Sequence, residues 1–580
     1  MTMKTPFTSQ TGSRAGGALI LVMIMSTIAL AILASVMAWS TTSARLTHRT
    51  IQYTRSVSAA EGATEKVISQ ISRDFLYGGE KLVTDNLNTY RQNTVPTTAD
   101  SAYWSNWKFD DALGNAGYTY VNRAPGISYV VLDSAYAGLK GYISTYTVVS
   151  HAADTASSQD VKAGVLQELQ LAGIPIFQFA MFSSGNMEIS CGQPFNVTGR
   201  VHSNGHLYVE PDNALTFESG VTAVVDILFQ RDPLDPRGPP VGGVVYVYPD
   251  QKVSPVAAMT LPIGTTNTPE AIREIIEPPP AGEDRNSPIG RLRYYNQSDL
   301  VVKVTDSGVS ATSGAFNNFR TSITNTELAL FVSTKNSFYD AREGKTVESI
   351  DIDIGSLKTW SETNTSLRVV LGNAKQNSIY VVDSRTPSAT TLGAVRVVNG
   401  AQLPANGLTV ATGRPLYVLG DFNAPILGST NTATSRPASL VADAITILSD
   451  NWKDANSTSL VDLRIAASTT VNAAFLTGVV ETTKGRYSGG MENFPRFLET
   501  WGLGNVFTYN GSMVKMFPSL YATNAWGKAN IYVPPKRNWA YDASFDDPTR
   551  LPPKTPSLLK VFRARWSTAV PDKNVATATP

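Results

Sequence analysis

Two aspartates stand two residues apart in the segment Ser-Ile-Asp-Ile-Asp-Ile, residues 349–354. On a β-strand, Asp351 and Asp353 would point to the same side. Two carboxylates on one face can act as the acid and the base of glycoside cleavage. The interleaved isoleucines equally fit a half-exposed strand with one buried face, and nothing nearby in the sequence completes a catalytic site. We therefore expect a structural role for this pair.

Histidine and cysteine are too sparse to suggest a metal site. His202 and His206 are four residues apart, a spacing that suits metal binding on a helix, but Ser203-Asn204-Gly205 between them signals a turn. Cys191 is the only cysteine, so the chain can form neither an internal disulfide nor a thiolate metal cage. No cationic residue flanks it to lower its pKa, so we do not expect a nucleophile. We expect no metal and no cofactor.

The segment from Tyr487 to Trp501 is the densest in aromatic and charged residues. Exposed aromatic rings beside an arginine suit a partner-binding or sugar-stacking surface. The candidate partner surface consists of Phe494, Arg496, Phe497 and Trp501. Alternatively, the apolar members and Leu498 form one face of a helix that covers the open end of a stack of strands, with Arg496 and Glu499 paired on one turn. The sequence favours this cap.

Composition argues against an enzyme and against a nucleic-acid-binding protein. The 48 basic and 47 acidic residues leave a net charge of +1, which provides no field for a polyanion. The chain has no Walker-type loop, no Gly-x-Ser-x-Gly elbow and no paired cysteine motif. At 580 residues it is long enough for several domains or for one elongated solenoid. We therefore expect a scaffold.

The N-terminal region predicts a membrane helix. No charged residue occurs from Ala15 to Ala44, whereas spanning the hydrocarbon takes only about 20 residues. A cleaved signal has an apolar core of about 7 to 15 residues, so we expect an uncleaved anchor, with cleavage after Ala38 or Ala44 as the alternative. The residues expected to face lipid are Leu19, Ile20, Leu21, Val22, Ile24, Ile28, Leu30, Ile32, Leu33 and Val36.

The helical pattern continues beyond the apolar run. Val57, Ala60, Thr64, Val67, Ile71 and Phe75 recur at steps of three and four residues, which predicts one apolar stripe on a helix ending near Leu76. Basic residues flank the span on both sides, so their count does not set its orientation. A rod that is half in lipid and half outside has the shape of a pilin.

Three segments carry a resemblance to a known family. They are Arg14-Ala-Gly-Gly-Ala-Leu-Ile-Leu-Val, then Ala-Ser-Val-Met, then Ser58-Ala-Ala-Glu-Gly-Ala63. Together they resemble the N-terminus of PilX-type minor pilins of type IV pili. The resemblance implies a leader over 1–16, a membrane and pilin-like helix over 17–76, an inner-membrane location with the N-terminus inside, and other pilin or pseudopilin subunits as partners. The glutamate that major pilins carry five residues into the mature helix does not follow Gly12, Gly16 or Gly17.

The sequence after the N-terminal helix is typical of β-strands. The predicted fold class is therefore α+β, mainly β. Over 77–180 we expect a small α/β unit packed on the helix. Farther on, short apolar pairs such as Met187/Ile189 and Leu207/Val209 are separated by turn residues. Strands this short bury a face only when they are stacked. We therefore predict a right-handed β-helix over 181–230 and 297–480, with a β-sandwich as the alternative.

The other segments are predicted from proline and charge. Residues 231–296 are predicted to be a loop insertion with a short helix at Pro269–Ile276. Residues 481–526 are predicted to form a capping segment. Residues 527–580 are predicted to form a Pro-rich, extended polar tail. Motifs such as Val201-His-Ser-Asn-Gly205 also resemble those of large uncharacterised bacterial proteins of the Verrucomicrobia type.

These observations give one functional expectation and two alternatives. We expect a structural minor-pilin-like or pseudopilin-like component of a type IV pilus or related secretion system, which contacts membrane lipid and other pilin subunits but not nucleic acid. The first alternative is a membrane-tethered β-helix that binds or cleaves carbohydrate. The second is a self-associating envelope scaffold.

Overall fold

A computed structural model describes residues 15–111, 113–132, 138–157, 161–314, 321–365, 371, 376–386, 388–502, 504–527 and 530–568. The predicted leader, apart from its last two residues, lies outside the described residues.

A single long helix opens the described chain. Helix α1 spans Ala15–Asp85 and is interrupted at Gly79, whose φ of 73° and ψ of −173° are not helical. This backbone conformation is essentially restricted to glycine. The predicted helix over 17–76 is confirmed, and after the expected stop at residues 77–79 the chain resumes a helical path. A short helix, α2 (Leu87–Gln92), follows.

The second half of α1 packs on an antiparallel sheet, which we call sheet A. Its strands are β1 (Trp107–Asp110), β2 (Tyr120–Arg123), β3 (Ser128–Val131), β4 (Lys140–Asp154), β5 (Lys162–Pro175) and, from the far end of the chain, β33 (Ser557–Thr568). Val67, Ile71 and Phe75 pack against this sheet in one cluster, while Ala59, Ala60 and Ala63 pack in another. The small alanine side chains let helix and sheet approach closely.

The prediction of an extended polar tail is wrong for the described part of 527–580. Strand β33 pairs along its whole length with β5, and Leu558 and Leu559 are buried. The prolines of this region lie before the strand, up to Pro556, or after it, at Pro571 and Pro580, and none interrupts it.

Residues 179–253 form three parallel stacks of short strands. Sheet B receives β6 (Phe179–Ser183), β9 (Arg200–Ser203), β12 (Val221–Ala223) and β15 (Lys252–Val253). Sheet C contains β7 (Met187–Ile189), β10 (Leu207–Val209) and β13 (Ile227–Leu228), and sheet D contains β8 (Phe195–Val197), β11 (Leu215–Phe217) and β14 (Val244–Tyr246). Leu207 lies opposite Met187, and Leu215 lies opposite Phe195. The first strands therefore repeat every twenty residues, whereas β14 and β15 follow their partners by 29 and 31 residues.

The second half of the body extends the same arrangement. Sheet B continues through β16 (Leu300–Thr305), β21 (Ser378–Asp383), β23 (Leu408–Ala411), β25 (Ala438–Ala442), β28 (Ala474–Val479) and β31 (Met513–Pro518). Sheet E consists of β20 (Lys345–Asp353), β22 (Thr391–Val398), β24 (Leu416–Leu419), β26 (Ile445–Leu448) and β29 (Arg496–Phe497), with β19 (Val332–Asp340) added antiparallel. Sheet F consists of β27 (Thr469–Asn472), β30 (Val506–Gly511) and β32 (Lys536–Tyr541). Strands β17 (Gly308–Ser313) and β18 (Thr321–Ile323) add antiparallel to the end of sheet B.

The chain enters sheet B in the middle. The strands β6, β9, β12 and β15 add one after another towards one edge of the sheet. The next strand in the chain, β16, lies near the opposite edge, and the following strands add back towards the middle until β31 pairs with β6. Residues 254–299, the crossing segment, therefore have to pass from one edge to the other. They contain α3 (Pro269–Arg273), α4 (Pro288–Leu292) and α5 (Tyr294–Gln297). Helices α6 (Asn325–Leu328) and α7 (Ile354–Thr363) follow in the second half.

The crossing segment packs against the outer face of sheet B. Ile272, Ile275 and Ile276 are buried against Tyr380, Val441 and other residues on the outer face of sheet B. The prediction of a loop excursion is therefore wrong for this part of 231–296. The short helix predicted at Pro269–Ile276 is present as α3 and a following 3-10 turn.

A continuous apolar core lies between the inner faces of the stacked sheets. It joins residues from all parts of the body, from Ala180 to Tyr532. The molecule is thus a long N-terminal apolar helix followed by a β-rich body of many sheets, as the sequence predicts at that level.

Candidate functional site

The predicted membrane residues all lie on the exposed half of α1. Their side chains are 51–66% exposed. Among the described residues, α1 is the one helix long and apolar enough to span a membrane, and no part of its most apolar stretch is buried. This arrangement is consistent with a single-pass anchor.

Asp351 and Asp353 serve separate structural roles, as the sequence favours. Asp351 accepts hydrogen bonds from Nη2 and Nε of Arg396, at 2.6 and 3.1 Å. The same guanidinium donates to Asp454 at 2.7 Å. Asp353 caps α7 by accepting from the N–H of Ser356 at 2.8 Å.

His202 and Cys191 are core residues. The His202 ring nitrogens lie 2.8 Å from Thr222 Oγ1 and 3.0 Å from Asn204 Oδ1. Burial lowers the pKa of His202 to about 4, so it is neutral at pH 7. His206 instead lies 3.7 Å from Asp226. Burial raises the pKa of the Cys191 thiol to about 12, which keeps it protonated.

The predicted partner surface is not exposed. Phe494, Arg496, Phe497 and Trp501 are each at most 6% exposed, and Arg496 and Phe497 form strand β29 at the edge of sheet E. The predicted cap helix is also wrong: a 3-10 turn at Met491–Asn493 ends at Phe494, Pro495 has no N–H to donate, and Arg496 and Phe497 pair with β26 instead.

Arg496 pairs with a different partner from the one predicted. Its Nη1 lies 2.7 Å from Glu343 Oε1, and its Nη2 donates to the carbonyl of Ala522. Glu499 instead accepts from the backbone and hydroxyl of Ser449. The charged residues of this segment thus hold it inside the body.

A cluster of three carboxylates lies at the turn between sheets C and D. Glu188 is on β7, and Glu210 directly follows β10 on the next rung, where its N–H donates to the carbonyl of Ile189. Asp235 comes from residues 229–243, which interrupt the twenty-residue repeat between β13 and β14 and which we call the insert. One oxygen of each carboxylate lies within 4.8 Å of the other two.

Glu210 is the most unusual member of this cluster. Its side chain is fully buried, and neither of its oxygens accepts a hydrogen bond from any described residue. Arg231 and Arg237 approach only to 3.9 and 3.6 Å. Burial, reinforced by the charge of Glu188, raises the pKa of Glu210 to about 9.

The two neighbouring carboxylates are better satisfied. Glu188 accepts from the Thr482 hydroxyl at 2.8 and 2.9 Å, and burial raises its pKa to about 7. Asp235 accepts from Arg237 at 2.6 Å, and the Arg237 guanidinium lies 3.6 Å from the centre of the Tyr487 ring. The insert and the segment around Tyr487 are thereby joined to the turn.

A cavity of about 440 Å³ adjoins the cluster. Its lining includes Tyr487, Trp526, Tyr532, Arg237, Glu492 and Arg537. Small-molecule sites typically measure about 300–1,000 Å³ and combine apolar rings with a few polar groups. The cavity therefore has the size and chemistry of a ligand site.

The sequence contained a signal for part of this site. Aligning Met187/Ile189 with Leu207/Val209 at a spacing of twenty residues places Glu210 on the rung beside Glu188. Asp235 could not be found this way, because the insert breaks the repeat.

The helix and the β-rich body define the chain as a β-rich protein with one exposed N-terminal helix, and comparisons add little to that description. No family model matches the chain, and no curated protein matches its sequence. A solved structure with some similarity is the competence-associated pilin ComZ from Thermus thermophilus, at 9% identity over 89% of this chain and 98% of that chain. Its TM-score is 0.25, too low to support an argument about fold or function.

Proposed function

We propose that the chain is a structural, pilin-like or pseudopilin-like component of a type IV filament or related secretion system. In this proposal α1 is anchored in the bacterial inner membrane and the body lies outside the cytoplasm. The observation that carries the proposal is the division of α1 into two halves. One half is exposed and mostly apolar, while the other is buried against sheet A.

The length of the exposed half supports partners beyond lipid. From Gly17 to Arg55 every residue except Gln52 is exposed. At ~1.5 Å per residue this half is about 60 Å long, twice the ~30 Å of hydrocarbon. Exposed apolar residues such as Leu46 and Ile51 continue past the uncharged run. Packing against helices of other subunits would bury the apolar residues of α1 that extend beyond the bilayer.

Arginine substitutions on α1 test the anchor. Leu30 and Leu46 are 63% and 60% exposed, but only Leu30 lies in the uncharged run. We expect Leu30→Arg to release the protein from membranes washed with alkaline carbonate, because a central arginine costs about 2.5–3.5 kcal/mol on insertion. Leu46→Arg is the matched control and should remain bound. Wild-type protein that is soluble without detergent would rule out the anchor.

Crosslinking tests the partners. A photo-crosslinking amino acid at Leu33 should capture pilin or pseudopilin subunits, identified by mass spectrometry. Capture of this chain alone would instead support a self-associating envelope scaffold.

We also infer that the body is a right-handed β-helix. The twenty-residue spacing of the first rungs, the parallel pairing throughout and the shared core support this inference, and parallel crossovers are right-handed in about 98% of cases. Deleting residues 186–205 would then remove one whole rung and leave a folded protein, whereas deleting only residues 186–195 would break the stack. Circular dichroism measures the folded structure of both variants. If the two deletions lose the same amount of β-structure, the inference is contradicted.

A second candidate function is carbohydrate binding, which the aromatic and charged cavity favours. We propose binding without cleavage, because the buried Glu210 is shielded from a polysaccharide. In saturation-transfer NMR with the full chain in detergent, oligosaccharides should contact the wild type but not Trp526→Ala. Identical spectra for the two proteins would eliminate this cavity as the site.

A further inference from the structure

The three clustered carboxylates have the geometry of a cation site. Because the contributing oxygens of Glu188, Glu210 and Asp235 lie within 4.8 Å of one another, a point exists within about 2.8 Å of all three. Calcium binds oxygen ligands at about 2.3–2.6 Å, so slight movement of the side chains would complete these contacts.

Glu210 supplies independent evidence for a ligand. Its fully buried carboxylate accepts no hydrogen bond from the described residues, although buried carboxylates are normally paired or bound to metal. The guanidinium groups of Arg231 and Arg237 are attracted to it but remain beyond hydrogen-bond distance. An ion among the three carboxylates would give the Glu210 oxygens the direct contact that neither arginine makes.

We propose that Glu188, Glu210 and Asp235 bind one Ca²⁺ ion, which fastens the insert to the turn between sheets C and D. The ligands are oxygens, which hard cations prefer, and calcium tolerates irregular coordination better than magnesium. Thr482, bonded to Glu188, connects the same site to the segment that lines the cavity. Calcium therefore orders both the insert and one wall of the cavity. The proposal does not depend on the pilin-like function.

The test compares Glu210→Gln with Glu499→Gln in the full-length chain in detergent. Both glutamates are buried, but Glu499 lies outside the cluster and accepts from Ser449. After treatment with EDTA, titrated calcium should raise the unfolding temperature of the wild type and of Glu499→Gln. In Glu210→Gln the calcium concentration needed should rise at least tenfold, and Asp235→Asn should behave likewise.

Proteolysis gives a second, local measurement. Calcium should slow tryptic cleavage after Arg231 and Arg237 several-fold in the wild type and not in Glu210→Gln. The proposal is overturned if calcium changes neither readout in the wild type, if Glu210→Gln responds as the wild type does, or if magnesium acts at the same concentration as calcium.

Discussion

Leu558 and Leu559 of β33 are adjacent and contribute to two different cores, so their replacement by alanine probes both. Leu558 packs with the crossing segment, whereas Leu559 packs with α1 and sheet A. Both are at most 5% exposed. Reducing a buried leucine to alanine costs about 2–5 kcal/mol. We expect each single variant to lose about this much local stability in β33 and β5.

Hydrogen exchange of the full chain in detergent measures this loss segment by segment, without assuming that the molecule unfolds in one step. Because ~1.4 kcal/mol is a tenfold change, protection of the β5 and β33 amides should fall at least about thirtyfold. Arg565→Ala is the control on the same strand. Its side chain is 60% exposed and 3.7 Å from Glu168, so we expect a loss below about 1 kcal/mol. Unchanged protection in Leu559→Ala would refute the packing of β33 beneath α1.

Three further substitutions have expected outcomes. Arg396→Ala should destabilise sheet E by about 3–5 kcal/mol, measured by denaturant unfolding, because it leaves the buried Asp351 without its ion pair. The depressed pKa of His202, about 4, means that the folded state resists protonation. Stability should therefore fall as the pH drops from about 6.5 towards 4, by up to about 3 kcal/mol, and His202→Gln should abolish that part of the pH dependence. Gly79→Ala should cost about 1–3 kcal/mol in the same assay, because alanine rarely adopts a φ of 73°.

Local patterns allowed the helix and the short strands to be predicted. The three- and four-residue steps from Val57 to Phe75 and the alternating pairs such as Met187/Ile189 are each contained in a single element, so the sequence reveals them directly. The segment around Phe494 shows the limit of this method. Its apolar spacing fits a helix, but Pro495 and pairing with the distant strand β26 make it a strand instead.

Long-range pairing was not predictable in the same way. The partner of β33 lies almost four hundred residues earlier, since Leu559 pairs with Gly173. Nothing in the composition of 527–580 indicates this pairing. The carboxylate cluster also depends on stacking, because Glu188 and Glu210 become neighbours only when two rungs align. Asp235 joins them through an insert that breaks the repeat and is tied to the turn by the ion pairs of Arg231 and Arg237.

The order of strands in sheet B makes the two halves of the body dependent on each other. Because β6 pairs with β31, the first rung of the amino-terminal half needs the last rung of the carboxyl-terminal half to complete its edge. The crossing segment adds a second link. Its Arg273 donates to the buried Asp443 at 2.7 Å, and Asp443 also accepts from the backbone of Leu520 and Ala522. Separating the halves at residue 255 would leave that ion pair intact on one fragment, but it would part β6 from β31, β5 from β33 and Asn204 from Met259. Each fragment would then carry unpaired strand edges, so neither half is an independent domain.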